Sequence, residues 1–408
     1  MTAGGLRMKI LLATYWEIPH LGGVWPLMER LAHDLRARGH EVDIFGNNVH
    51  YYHLVNQQRR FIKSHYSPLI ETHLNHTPLS ANAVVYHTEV DRLIMELTAS
   101  TLNLGQYDLI HTHDAISARS IARVKPPHVP LLVNPHGSLL GEIKLLIDSH
   151  ALPSSNYDLL YTYYSSLEKR GILSANHALA ASNWLKQVLG QDYRVPDTHV
   201  SVFPYGIDTA RFHAQMHVPN EAVVPPYKKV ITYAGRFVHL KGIQVLLKAL
   251  SALKQIRQDW VCWLIGEGDN KSEYIQQAES LGLGSDVVFW GARSDVPRFM
   301  ALTDIYVQPS LQDNQPLSVI EAQVAGCAVV VSSASGLPEM IQHGSTGVVV
   351  PVNDSDSLFR HLHHLLQYDT QRIQMGQHAQ HVGMHHWSLA RYNQDMFHLY
   401  QRVTGKPV

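Results

Sequence analysis

The sequence predicts an α/β protein built from two doubly wound domains. Three observations carry this. The chain has 408 residues, enough for two domains of roughly 100–200 residues each. Short apolar runs alternate with stretches of helical period along most of its length. The alternation stops around Ala210–Tyr227, where AQMHVPNEAVVPPYKK is rich in Pro and polar residues and reads as a linker.

The first half opens with MKILLA, a buried strand from Met8 to Ala13. After the loop TYWEIPHLGG a helix runs from Val24 to Arg38, with Leu27, Leu31 and Leu35 at helical spacing. Gly39 ends it and EVDIFG is the next strand. A strand–helix–strand unit implies a parallel sheet. Further strands are expected at Asp108–His111, Pro130–Asn134, His177–Ala181 and His199–Phe203. Between Tyr51 and Gly105 the pattern is irregular, contains the basic stretch QQRRFIKSHY, and supports no assignment. After the linker the alternation resumes. Strands VITYAG, WVCWLIG, VVFWG, IYVQP, AVVVS and GVVV are separated by helices GIQVLLKALSALKQI, KSEYIQQAESLG, VPRFMALT and one around Glu321. A last helix is expected from Ser388 to Arg402.

Composition narrows the class. Apolar residues make up 45% and the net charge is −1 with His neutral, so nothing suggests a nucleic-acid partner. The 28 histidines are scattered rather than grouped as one metal site. Cys262 and Cys327 each lie in an apolar stretch and read as buried free thiols, as expected in a reducing compartment. The start, MTAGGLRMKILLATYW, does not read as a signal peptide. No apolar run approaches the ~20 residues of a spanning helix. The expectation is a cytoplasmic protein.

Ligands of open α/β sheets sit at the carboxyl ends of the strands, so the loops that follow strands hold the candidates. In AGRFVHLKG, Gly235 permits a tight turn. Arg236 offers a fork of donors and Lys241 a mobile ammonium, next to the positive end of a helix. That combination suits a dianion such as a diphosphate; the alternative is a pair of solvated surface cations. In DNQPLSVIEAQVAG, Pro316 suits the first helical position, and the N–H groups of Leu317 and Ser318 make a second anion cradle. Glu321, among apolar neighbours, suits a bidentate acceptor for a vicinal diol. Asp313, eight residues earlier, would reach the far end of the same ligand. The alternative places Asp313 in an ordinary loop and Glu321 on a solvated face.

Other patterns have simpler readings. Asp354-Ser355-Asp356 precedes a helix and reads as a cap rather than a metal motif. His111-x-His113-Asp114 reads as polar lining at a strand end, since no fourth metal ligand is assignable. Gly266-x-Gly268 lacks the rest of a dinucleotide fingerprint.

Taken in order, GR-x4-KG, GEG and a carboxylate eight positions before Glu321 resemble the retaining glycosyltransferases of family 4, of GT-B fold. VFPYGIDTARF supports this upstream, and HLGGVWPLMERLAHDLRARGHEV and VNPHGS carry the resemblance into the first half. The resemblance implies two Rossmann-like domains facing a central cleft: an acceptor-side domain at 1–208 and a nucleotide-sugar domain at 209–385. A C-terminal helix, about 386–408, would cross back to the first.

The implied roles follow residue by residue. Arg236 and Lys241 grip the donor diphosphate, with Gly266 in the adjacent loop. Glu321 holds the nucleotide ribose. Asp313 stands where the family has a glutamate near the transferred sugar, one methylene shorter. Gly22 and Gly23 let the backbone approach the donor, and His136, in PHGS, contacts the sugar near the reacting carbon. The implied donor is a UDP-sugar, with no metal and no other cofactor. The acceptor is a small molecule, glycan or lipid whose identity is not readable, though 51–101 is expected to shape its pocket, with Tyr51, Tyr52 and Tyr66 as stacking candidates.

Two rival readings stay open at this point: a GT-B enzyme without an acceptor, such as a hydrolysing epimerase, and a degenerate nucleotide-sugar-binding subunit. A further alternative concerns location. Arg30, Arg36 and Arg38, followed by Arg59, Arg60 and Lys63, are either a solvated face or a peripheral contact with the inner membrane face. Oligomeric state is not legible.

Overall fold

The computed structural model of the chain describes residues 7–19, 24–148 and 157–406. The chain divides into two compact units, Met1–Phe203 with Asn393–Val408, and Pro204–Tyr392.

Among its described residues the first unit holds eight strands: β1 Lys9–Glu17, β2 Glu41–Asn47, β3 Tyr51–Leu54, β4 Arg59–Ile62, β5 Leu109–Thr112, β6 Leu131–Val133, β7 His177–Ala180 and β8 Val200–Val202. Their order is β4-β3-β2-β1-β5-β6-β7-β8. All pairs from β2 across to β8 are parallel; β3 and β4 add an antiparallel edge. The parallel strands read as continuous apolar runs because helices cover both faces. Helix Val24–Ala37 buries Leu27, Met28, Leu31, Ala32 and Leu35, the stripe its spacing predicts.

The irregular stretch from Tyr51 is ordered. It forms the β3–β4 hairpin, helix Ser67–Leu74 and helix Ala83–Ser100. Helix Ala83–Ser100 hides its period because it buries a charged residue among its apolar ones. Arg92 is 6% exposed and pairs with Glu89 and Glu96, each at 2.7 Å. Tyr52 is fully buried beside Phe45, and Tyr66 packs against the same core, so of the three stacking candidates only Tyr51 stands outside it. The basic residues considered for a membrane contact are also engaged; Arg30 lies 3.7 Å from Asp34. Arg36 donates to the Val42 carbonyl at 2.7 Å, Arg38 lies 3.9 Å from the Phe397 ring, and Lys63 pairs with Asp91 at 2.9 Å. Arg59 and Arg60 stack over Phe61 and Tyr51.

The second unit holds six parallel strands: β9 Lys229–Ala234, β10 Trp260–Ile265, β11 Val287–Gly291, β12 Ile305–Gln308, β13 Ala328–Ser332 and β14 Val348–Val350. The order β11-β10-β9-β12-β13-β14 reverses direction between β9 and β12. In open α/β sheets the ligand crevice lies outside the carboxyl ends of the strands at such a switch point.

Two expectations need correction here. The stretch 210–227 is more than a linker. It begins in helix Thr209–Gln215, capped by Asp208 on the Arg211 N–H at 3.0 Å, with Phe212 buried. Between the expected elements lies a further helix, Asp369–His386, with almost no apolar stripe. It packs through glycine instead: a Cβ on Gly376 would stand 2.1 Å from the Gly326 carbonyl oxygen. Both cysteines are buried and free. Among the described residues no helix is long and apolar enough to cross a membrane.

Candidate functional site

The crevice of the second unit begins at the loop after β9. The Gly235 N–H donates to the Ile265 carbonyl at 3.0 Å, and a Cβ on Gly266 (φ +142°) would stand 1.9 Å from the Gly235 oxygen. Close approach of the two loops thus requires glycine. The Tyr233 hydroxyl donates to the Arg236 carbonyl at 2.9 Å, which fixes the backbone of that residue. The Arg236 side chain is exposed and makes no hydrogen bond or ion pair with any described residue. Gly242, in the left-handed region at φ +69°, then turns the chain into helix Ile243–Lys254. A Cβ there would meet the Pro309 oxygen at 2.0 Å. The loop after β9 is in this way pressed against the loop after β12.

That contact brings Lys241 to Asp313. Their Nζ–Oδ2 distance is 2.6 Å, and both side chains are largely buried. The same oxygen accepts from Ser310 Oγ at 3.1 Å and Gln308 Nε2 at 3.3 Å. Gln308, 1% exposed, uses its whole amide. Its Nε2 also donates to Ser310 Oγ at 2.9 Å, and its Oε1 accepts from Tyr306 OH at 2.6 Å and Ser318 Oγ at 3.3 Å. A fully satisfied buried amide is rigid. It ties Asp313, Ser310 and the start of helix Leu317–Ala325 into one frame.

Pro316 stands at the cap of that helix in extended conformation (ψ 131°), not at its first turn. The correction moves the helix start to Leu317, so Leu317 and Ser318 occupy the positions whose N–H groups have no intrahelical acceptor. Glu321 follows in the second turn. Val319, Ile320, Ala322 and Val324 are buried, and Glu321 is half-buried. Burial alone raises its carboxyl to about 7, because desolvation disfavours the charged form. No described residue donates a hydrogen bond to it.

In the first unit, His136 follows β6. Its Nε2 lies 3.3 Å from His113 Nδ1, with the rings parallel at 5.5 Å. His111 stacks on His113 at 4.5 Å and meets the Tyr400 hydroxyl at 2.6 Å. Burial pushes His111 down to about 3 and His113 well below the ordinary range. These two rings are therefore neutral at physiological pH. Asp114 is occupied. It accepts from the N–H groups of Tyr15 (2.7 Å) and Ser117 (2.6 Å) and from Thr14 Oγ1 (3.0 Å). Helix Leu139–Asp148, directly after the His136 loop, is held by Glu168, which accepts from the Leu139 and Leu140 N–H groups at 3.0 and 2.9 Å. Gly22 and Gly23 lie outside the described residues.

The loops after β9 and β12 thus bring together Lys241 and Asp313, with Ser318 joined to them through Gln308, while Gly235 is placed against the loop of Gly266. Asp354 caps helix Ser355–Gln367 through the Ser357 N–H at 2.8 Å. Among the described residues no group of three or more His, Cys, Asp or Glu side chains is arranged to hold a metal. The sequence reading missed Tyr306, Gln308 and Ser310. Their signal was present: hydroxyl and amide residues at the end of an otherwise apolar strand. Glu168 carried no signal beyond being one acid in an amphipathic helix.

Comparison with known proteins gives this geometry a family. Residues 21–211 match the family model Glycosyltransferase Family 4, and residues 218–382 match Glycosyl transferases group 1. An uncharacterized glycosyltransferase of Methanocaldococcus jannaschii is 27% identical over 86% of this chain and 87% of its own. D-inositol 3-phosphate glycosyltransferase of Corynebacterium kroppenstedtii is 25% identical over 92% and 85%. Among solved structures, Anabaena HepE in complex with UDP superposes with a TM-score of 0.66 at 19% identity, covering 97% of this chain and 100% of that one. The chain belongs to the family 4 glycosyltransferases and has their GT-B fold.

Proposed function

We propose that this glycosyltransferase moves a sugar from a UDP-sugar to an acceptor hydroxyl with retention of configuration and without a metal. The carrying observation is Glu321. A desolvated carboxylate without a protein donor, near the start of a helix at a sheet crevice, suits two ribose hydroxyls. Arg236 and Lys241 take the diphosphate, aided by the open N–H groups of Leu317 and Ser318. UDP in the Anabaena relative supports the choice of nucleotide.

Lys241 is paired with Asp313 in the free protein. A bound diphosphate would share that ammonium and leave Asp313 facing the sugar. Bond cleavage at the anomeric carbon releases UDP, and the acceptor oxygen attacks on the same face. The acceptor proton passes to the departing phosphate oxygen. Two cations stabilise the charge that develops there, a role that often dominates such sites. His136 contacts the sugar, a role that rests on the PHGS match. The acceptor is a glycan, lipid or small-molecule hydroxyl.

A thermal-shift panel with UDP, GDP, ADP and NAD, without metal, tests the donor. A ligand at 100 times its Kd stabilises by about 2.7 kcal/mol. A selective shift with UDP supports the reading; a shift with NAD alone overturns it.

A further inference from the structure

A second cationic group lies apart from this chemistry. Helices Ala115–Ala122 and Tyr157–Leu173 of the first unit border an open cavity of about 690 Å³. Arg119, Lys169 and Arg170 line it, with the hydroxyls of Thr162, Ser165 and Ser166. On the second helix these positions recur at intervals of three and four, so they share one face. Leu160, Tyr164, Leu167, Glu168 and Gly171 bury the other. No acidic residue is among the lining residues described.

The contrast with other cations of the unit is in the pairing. Arg36, Arg38, Arg59, Arg60 and Lys63 each have a carbonyl, carboxylate or ring partner. Arg92 and Arg123 take both oxygens of Glu96, each at 2.7 Å. The side chains of Arg119, Lys169 and Arg170 make no ion pair or hydrogen bond with any described residue. Burial, and then like charge from Arg123, Arg92 and Arg170, lower the proton affinity of Arg119, with Glu96 opposing them in part. Three unmatched cations thus surround one cavity beside the hydroxyls of Thr162, Ser165 and Ser166. An anion would relieve the repulsion and accept from both kinds of donor.

We infer that this cavity is a binding site for a phosphate-bearing anion, separate from the donor site. Tyr161 and Leu173, 42% and 41% exposed, lie at the two ends of the same helix face and suit an apolar part of the ligand. The phosphate belongs to a soluble phosphate ester or to a lipid headgroup, and the test distinguishes them.

The test uses the full chain carrying Arg236→Ala and Lys241→Ala, so that the donor cations do not contribute. Inorganic pyrophosphate is titrated by calorimetry at low salt. One site is expected. Arg119→Ser with Lys169→Ser should weaken it by about tenfold or more for each cation removed, with the melting temperature unchanged. Should that pair fail to fold, Arg170→Glu gives the same reading. Binding that these substitutions leave intact, or no binding in the parent, overturns the inference. Sedimentation with phosphatidylglycerol but not phosphatidylcholine vesicles, abolished in the same variants, assigns the phosphate to a headgroup. Pyrophosphate binding without sedimentation assigns it to a soluble ester.

Discussion

Two carboxylates, one in each unit, have the same acidity and opposite circumstances. Burial raises both Glu168 and Glu321 to about 7. Glu168 is fully buried and saturated: two backbone N–H groups and the Tyr193 hydroxyl, at 2.6 Å, donate to it. Glu321 has no donor among the described residues. A perturbed carboxyl is therefore not by itself a mark of function. Satisfied donors make Glu168 a structural clamp on the helix after His136. Glu321, with no such donor, is left open, and on the proposed function a ligand's hydroxyls take that place.

The largest effect expected lies at the two cations of the loop after β9. Arg236→Ala should lower turnover by about 10²–10³-fold while the melting curve stays close to that of the parent; Lys241→Ala should lower turnover as much and also lower the melting temperature, because it leaves the largely buried Asp313 carboxylate without its cation. Near-normal turnover in either variant would remove the diphosphate assignment. Next in size is Glu168→Ala. It strands three buried donors and should cost about 3 kcal/mol or more in urea denaturation. A loss below about 1 kcal/mol would deny Glu168 its clamping role.

Glu321→Ala should act on the ligand instead. Calorimetry should show UDP binding weakened by about tenfold, and unchanged affinity would count against the ribose role. The free carboxyl titrates near 7, and hydroxyl donors favour its charged form. UDP affinity should therefore rise as the pH is raised through that value and become flat in Glu321→Gln; a pH-dependent Gln variant would move the titration elsewhere. The smallest effect is on stability. With a folded value of about 7 against an ordinary 4.5, the folded state holds the proton longer. Stability from this group is then lost as pH rises through that window. Glu321→Gln should be at least as stable as the parent above the folded value, and a lower melting temperature there would contradict the lack of donors.

Much of this was legible in the sequence. The βαβ alternation was readable because parallel strands buried on both faces are unbroken apolar runs. Arg236, Lys241, Asp313 and Glu321 were readable as candidates for an anion and a diol from residue type and order; the structure adds that Lys241 and Asp313 are paired. The hidden parts share a physical cause. Helix Asp369–His386 packs through Gly376 and helix Ala83–Ser100 around a neutralised Arg92, so neither carries a clean apolar period.

Sequence was enough for the class of fold, the family and the chemical vocabulary of the crevice. Local propensity and periodicity act over a few residues and are written into the chain. Packing in three dimensions decided which groups are spent and which are left open. Lys241 meets Asp313 across 72 positions and Asp114 is consumed by the end of β1. Glu168 is saturated by a helix 28 residues away and Glu321 by nothing described. Hydrogen-bond satisfaction depends on which atoms packing brings within about 3 Å, and no short-range pattern encodes that.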